Sequence, residues 1–179
     1  TAGLEFAAGV FTNLTGDHLD YHRTMDDYLA AKRRLIEQLG EGATAVVNRD
    51  DPAGEAMASP VRGRTIWYGL SPAADLQGRI RRIDVAGTEF TIAWRGAEAH
   101  ARTPLIGRHN VYNCLAAAGA CLALGIELDA AAAALAGVRN VAGRLQRVPW
   151  DGPFEVFVDY AHTDDALRNV LGSLRPLAR

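Results

Sequence analysis

The chain has 179 residues, 49% of them hydrophobic and 22% charged, with a formal net charge of −2. That length supports one sizeable core and is short for two ordinary domains. No basic footprint points to nucleic acid, no apolar run is long enough to span a bilayer, and no signal peptide opens the chain, so a cytoplasmic, monomeric protein without nucleic-acid or membrane partners is expected.

The opening "TAGLEFAAGV" lacks an initiator Met and reaches an apolar strand almost at once, as a piece of something longer would. "AAGVFTN" reads as a buried strand ending near Asn13. After a polar loop, the pattern from Thr24 predicts a helix whose apolar stripe gathers Met25, Tyr28, Leu29, Leu35, Ile36 and Leu39. "GATAVVNRDD" predicts a strand from Ala43 to Asn48, then a helix from about Pro52 to Ala58 with Asp51 as cap. Strand, helix, strand, helix argues for an α/β fold: a mostly parallel sheet covered by helices.

From Arg64 to Leu105 the pattern switches to period two, with Ala86-Gly87 and Arg95-Gly96 as turn signals. Residues 64–105 are expected to form a small antiparallel β insertion on the main sheet, within a single unit spanning 1–179. "NVYNCLAAAGACLALG" then predicts a helix ended by Gly125, and "LDAAAAALAGV" a second with Asp129 near its start. "FEVFVDY" reads as a buried strand, and "TDDALRNVLGSL" as a helix capped by Thr163. Cys114 and Cys121 lie roughly 10 Å apart along one predicted helix, too far for a disulfide.

In open α/β sheets ligands sit outside the carboxyl ends of the strands. Two segments answer that description, "TNLTGDHLDYH" and "DYAHTDD", both rich in Asn, Asp and His. Asp17, His18, Asp20 and His22 have metal-site composition, although turns and caps use the same residues and the spacing matches no zinc signature. Lys32 falls inside the apolar stripe of the first helix. A buried ammonium either pairs, here with Asp17 or Asp20, or snorkels outward, or loses its proton and becomes reactive toward carbon dioxide; the carbamate so formed could hold Mg²⁺ through oxygen. Asn110 is placed as a helix cap and Asn113 one turn on; both amides could read a purine edge. Arg144, in a Gly-hinged loop, suits phosphate, and Asp159 ends a strand with His162 just before a helix N-terminus.

With "VFTNL", "DHLDYH", "YLAAKRRL", "GRHNVYN", "AGRLQRV" and "VDYAHTDDAL" in this order, the chain resembles the central ATP-binding domain of the Mur ligases, in its MurE type. The resemblance implies a P-loop-type fold and an ATP-dependent acid–amino-acid ligase. Such an enzyme adds the third amino acid to UDP-N-acetylmuramoyl-L-alanyl-D-glutamate through an acyl phosphate, during peptidoglycan synthesis. Cofactors implied are ATP and Mg²⁺. The resemblance also assigns residues: Lys32 as the carbamylated lysine, His18 as a magnesium-binding histidine, Asn110 and Asn113 as nucleotide-site asparagines, Arg144 as a phosphate-side arginine and Asp159 as a residue near the ribose.

Departures from the family are equally visible. No "GTxGKT" occurs in the 179 residues, the magnesium-binding glutamate and the C-terminal amino-acid pocket are missing, and Asp164 replaces the usual proline. The expected reading is therefore a truncated central domain, lacking the N-terminal UDP-binding domain, the phosphate loop and the C-terminal domain, and inert in isolation. Without the pocket, diaminopimelate and lysine both stay open as the added residue. A cyanophycin synthetase-like ligase domain, a non-catalytic nucleotide- or metal-binding module and a metallohydrolase are the rival readings.

Overall fold

The computed structural model describes residues 3–14, 24–138 and 141–178. Six strands form one sheet in chain order: β1 (Ala8–Phe11), β2 (Thr44–Asn48), β3 (Arg64–Gly69), β4 (Leu76–Asp84), β5 (Gly87–Trp94) and β6 (Ala97–Thr103). The first four pair in parallel and the last three antiparallel, with β4 shared between the two parts. Arg64 to Gly69 therefore belongs to the parallel half, and the antiparallel part starts at Leu76 rather than at Arg64. The two parts share one sheet.

All five residues of β2 are buried, because both faces of the parallel half are covered. Val46 turns to one face, with Ile66 and Tyr68 of β3 beneath α3 (Arg108–Ala123) and α4 (Leu128–Ala134). Ala45 and Val47 turn to the other, with Ile36 and Leu39 at the end of α1 (Met25–Glu37) and Met57 of α2 (Gly54–Ala58). Alternation along a pleated strand sends neighbours to opposite layers, and a sheet buried on both sides then reads as a continuous apolar run.

Helix α1 starts where expected. The Thr24 hydroxyl oxygen accepts from the Asp27 N–H at 3.1 Å, and two aspartates lie in the first turn, where the helix dipole favours them. Its buried side is narrower than the predicted stripe: Ile36 is 1% exposed, whereas Met25 and Leu35 are each 37% exposed. Helix α2 begins at Gly54 with no side-chain cap, and Asp51 instead closes the turn before it, its carboxylate accepting from the Ala53 N–H at 2.9 Å.

Helix α3 sets the direction of the molecule. Tyr112, near its start, reaches Asp50 just beyond β2; Gly119 meets Val46; Leu122 and Ala123 lie beside Thr44 at the beginning of β2. It runs antiparallel to the parallel strands, so its N-terminus opens at their carboxyl ends. Its C-terminus closes on Gly125 at φ +83°, with the Ile126 N–H donating to the Cys121 carbonyl at 2.9 Å. Both cysteines are free. The Arg95-Gly96 turn has two positive φ angles, +49° and +85°, the form that matches strand twist in a two-residue hairpin.

The last segment departs from expectation. β8 (Val156–Val158) joins no main-sheet strand; it pairs antiparallel with β7 (Gln146–Val148) in a separate two-stranded sheet. It is only half-buried, with Val158 48% exposed. An apolar run reports what a strand could bury, and among the described residues no layer covers both its faces. Helix α5 (Asp164–Leu174) follows, capped by Thr163 through the Ala166 N–H as its sequence predicts.

Candidate functional site

The carboxyl ends of β1 and β2 are joined by side chains. Asn48 donates its amide to the Thr12 carbonyl at 2.7 Å, and the Leu14 N–H donates to Asp51 at 3.1 Å. Between them, the Lys32 ammonium donates to the Asn13 carbonyl at 2.9 Å and lies 4.8 Å from the centre of the Tyr28 ring. Lys32 is thus half-buried at the strand end, not inside the core as its place in the apolar stripe predicts. Its four-carbon stem covers apolar surface while the amine reaches a polar edge. His18 and its neighbours Asp17, Asp20 and His22 lie outside the described residues.

On the β3 side, Asp50 accepts from the N–H groups of Leu70 at 2.6 Å and Ser71 at 3.2 Å, and from the Tyr112 hydroxyl at 2.8 Å. Tyr68, fully buried, donates its hydroxyl to the Phe11 carbonyl at 3.2 Å. Burial first, then the neighbouring Asp51, holds that phenol far above its ordinary pKa, so it is a permanent donor.

At the start of α3 the residue that begins the helix is Gly107, at φ +102°, rather than Asn110. Asn110 is 6% exposed and its amide donates to the Ile106 carbonyl at 2.8 Å, while its oxygen accepts from the Asn113 amide at 3.1 Å. The pair forms a short amide chain that ends on Asn113, which is exposed. A Cβ on Gly107 would sit 3.0 Å from the His109 ring and 3.0 Å from the Ser173 hydroxyl of α5, so glycine lets the start of α3 and the end of α5 close together.

Arg144 and Asp159 belong to this end of the molecule. Asp159 clasps two loops, accepting from the Leu145 N–H and the Ala161 N–H, each at 2.7 Å. Leu145 is held at φ +43°, a left-handed conformation uncommon for a bulky residue, and its side chain is buried. Arg144, next to it, is exposed. His109 registers both charges: partial burial lowers its pKa, Arg144 lowers it further and Asp159 opposes them. Sequence reasoning passed over His109, although it stands inside "GRHNVYN"; it also passed over Asn48 and Asp50, whose signal was a polar run directly after a wholly apolar strand.

His162 is exposed and turned back on its own loop, with Nδ1 2.9 Å from the Tyr160 carbonyl. A cavity of about 750 Å³ is lined by Val85, Phe154, Phe157, Leu174 and Leu177 and contains none of the candidate site residues. Among the described residues no three His, Cys, Asp or Glu side chains converge as a metal site.

Comparison with known proteins bears on this arrangement. The family model of the Mur ligase middle domain matches residues 1–121. A UDP-N-acetylmuramoyl-L-alanyl-D-glutamate–2,6-diaminopimelate ligase of Halalkalibacterium halodurans is 44% identical over 180 aligned residues, covering 99% of this chain and 37% of the relative. A solved structure of a ligase of the same name superposes with a TM-score of 0.81 at 31% identity, covering 99% of this chain and 37% of that one. The MurF ligase of Thermotoga maritima in complex with ADP shares the fold, with a TM-score of 0.79 at 20% identity over 96% of this chain and 39% of its own. The chain spans about 37% of the length of the curated relative it matches. With a mostly parallel sheet, an antiparallel extension and a family model matched over more than half its residues, the chain belongs to the Mur ligase middle-domain family.

Proposed function

We propose that this chain is the central part of an ATP-dependent ligase that joins 2,6-diaminopimelate to UDP-N-acetylmuramoyl-L-alanyl-D-glutamate in peptidoglycan assembly, in the cytoplasm and as a monomer. The relatives' names supply the substrates. One observation carries the reading. The sheet edge that presents the Lys32 amine also receives the N-terminus of α3, with Asn110 and Asn113 on it and Arg144 and Asp159 beside it. A ligase that activates a carboxylate with ATP needs nucleotide-reading amides, a cation toward phosphate and a metal ligand at one edge.

Magnesium would be held through Lys32 in its carbamate form. The neutral amine adds its lone pair to the carbon of dissolved carbon dioxide, an N–C bond forms, one C–O π pair moves to oxygen, and a proton leaves to solvent. The product offers hard oxygen ligands, and its remaining N–H can still donate to the Asn13 carbonyl. Magnesium, when bound, neutralises charge on the phosphate oxygens. Asn113 would read an adenine amino group with its carbonyl oxygen, and Arg144 would meet phosphate with its guanidinium. Asp159 keeps lone pairs for a ribose hydroxyl beyond those its two backbone bonds use.

Lys32→Ala tests the reading in a full-length ligase carrying this segment. The expected outcome is a fall in kcat on the order of 10²-fold or more, comparable with removal of a preorganised transition-state contact, with the circular dichroism spectrum unchanged. Wild-type turnover in that variant would remove Lys32 from the chemistry. The isolated chain, which contains no GxxGK[ST] loop in its sequence, is expected to hydrolyse ATP negligibly, because positioning and charge neutralisation of the phosphates need that loop.

A further inference from the structure

Three successive residues after β1 are gripped from three different elements. The Thr12 carbonyl accepts from the Asn48 amide at the end of β2, the Asn13 carbonyl from Lys32 of α1, and the Leu14 N–H donates to Asp51 in the turn before α2. Asn48 and Asp51 are in turn fixed by their own neighbours: the Asn48 oxygen accepts from the Asp50 N–H at 3.0 Å, and the second Asp51 oxygen accepts from the Ala53 N–H at 2.9 Å. Residues on either side of Asn13 are therefore tied to one rigid turn.

We propose that Asn48 and Asp51 are positioning residues for Lys32. By fixing the backbone on both sides of Asn13, they aim its carbonyl at the lysine nitrogen, which fixes where that nitrogen sits. The proposal deepens the functional reading above and rests on it only for its catalytic consequence. Chemistry favours such an anchor. An amine and a carbamate both keep an N–H, so one carbonyl can hold the nitrogen in either form while the carboxylate end of the carbamate turns outward. A lysine has four rotatable carbons, and without an anchor its reactive end is spread over many rotamers. The Tyr28 ring, one helical turn earlier, borders the same amine.

Lys32 is the only lysine in the sequence, so lysine labelled with ¹⁵N at Nζ and ¹³C at Cε gives one side-chain signal in the whole chain. In the 179-residue chain, Asp51→Asn keeps the shape but presents an amide donor where one of two backbone donors must be met. Exchange of the Lys32 ammonium protons with water is expected to accelerate roughly fivefold or more, the scale of one lost hydrogen bond, while the amides of Val46 and Val47 keep their protection. Asn48→Asp, which replaces the donor to Thr12, should do the same. Asp50→Asn is the control. Asp50 makes as many backbone bonds, but to Leu70 and Ser71, so it loosens the neighbouring loop and leaves the lysine signal alone. Equal acceleration in all three variants would reduce Asn48 and Asp51 to general scaffolding, and no acceleration in the first two would refute the proposal outright.

The catalytic consequence is read separately. In a full-length ligase carrying this segment, Asp51→Asn should raise the Mg²⁺ concentration needed for half-maximal rate by about 10- to 100-fold, as expected when the support of a metal ligand is lost, with saturating Mg²⁺ restoring most of the rate. An unchanged Mg²⁺ dependence would overturn that consequence. If Lys32→Ala is fully active, the functional reading fails while the labelled-lysine result still decides the anchor.

Discussion

His109 stands between two charges that the sequence places 35 and 50 residues further on, Arg144 and Asp159, and its proton equilibrium reports whether they meet. Its folded pKa is lowered from the ordinary 6.5, mainly by partial burial. The sign follows from linkage: the unfolded chain takes up the proton first as pH falls, so stability from this group is present above the unfolded value and is lost as pH drops through the folded one. The native titration of His109, followed by ring-proton NMR, should therefore have its midpoint below 6.5. Asp159→Asn should lower the midpoint further, because the carboxylate opposes the shift, and Arg144→Gln should raise it. Opposite responses, or none, would separate His109 from that pair. His109→Gln should also flatten the loss of thermal stability between neutral pH and about pH 5. Lys32 shows what one residue's sequence context can and cannot say. Its spacing on α1 gives the face it occupies, but the position of its amine depends on Asn13, nineteen residues earlier and on another element.

Between elements, close approach is set at glycines. At Gly119 a Cβ would lie 2.6 Å from Cγ1 of the fully buried Val46, where α3 crosses β2. Gly119→Ala gains about 1 kcal/mol of helix propensity. It also incurs an overpacking cost of about 1 to 3 kcal/mol in a core that cannot yield. The net expectation is a lower denaturant midpoint. Gly172 in α5 has nothing within 4 Å of its would-be Cβ, so Gly172→Ala should raise α5 helicity by roughly 0.5 to 1 kcal/mol. If both alanines stabilised, the close packing of α3 on β2 would be wrong. Element types were legible where local chemistry decides them. Thr24 and Thr163 cap their helices as hydroxyls do, Gly125 ends α3, and Arg95-Gly96 makes the hairpin. Boundaries set by distant partners were not. The residue before α3 is Gly107, at φ +102° and with Ser173 of α5 against the place a Cβ would take, and β3 pairs in parallel with β2. Period-two alternation is the same for either strand direction.

Over the whole molecule, burial is uneven along the chain. The buried residues all lie before Gln146; from Gln146 to Ala178 no described residue is buried. That segment exposes Trp150 at 51%, Phe154 at 60%, Tyr160 at 70% and Leu171 at 64%. Its two short strands are crossed by Arg147, which donates to both oxygens of Glu155 at 2.6 and 2.8 Å, an exposed pair of small net value. A two-stranded ribbon and an eleven-residue helix are each marginal on their own in water. Its ties to the rest among the described residues include the Leu145 N–H on Asp159, the Gly143 N–H on the Gln146 side chain at 3.2 Å, the Tyr160 N–H on the Gly143 carbonyl at 2.8 Å, and the approach of Ser173 to Gly107. Local opening should therefore precede global unfolding. In native-state hydrogen exchange of the isolated chain, the amides of Val156–Val158 and Asp164–Leu174 should exchange on the order of 10²-fold or more faster than those of Val46 and Leu115. Urea well below the main transition should leave the exchange of this segment almost unchanged, since opening it exposes little new surface, while the protection of Val46 and Leu115 falls and the gap narrows from the core side. Uniform protection along the chain would mean that the clasp at Asp159 transmits the stability of the sheet to the last segment. In that case Asp159→Asn should release the segment, and the exchange rates of Val156–Val158 and Asp164–Leu174 should rise while those of Val46 and Leu115 do not.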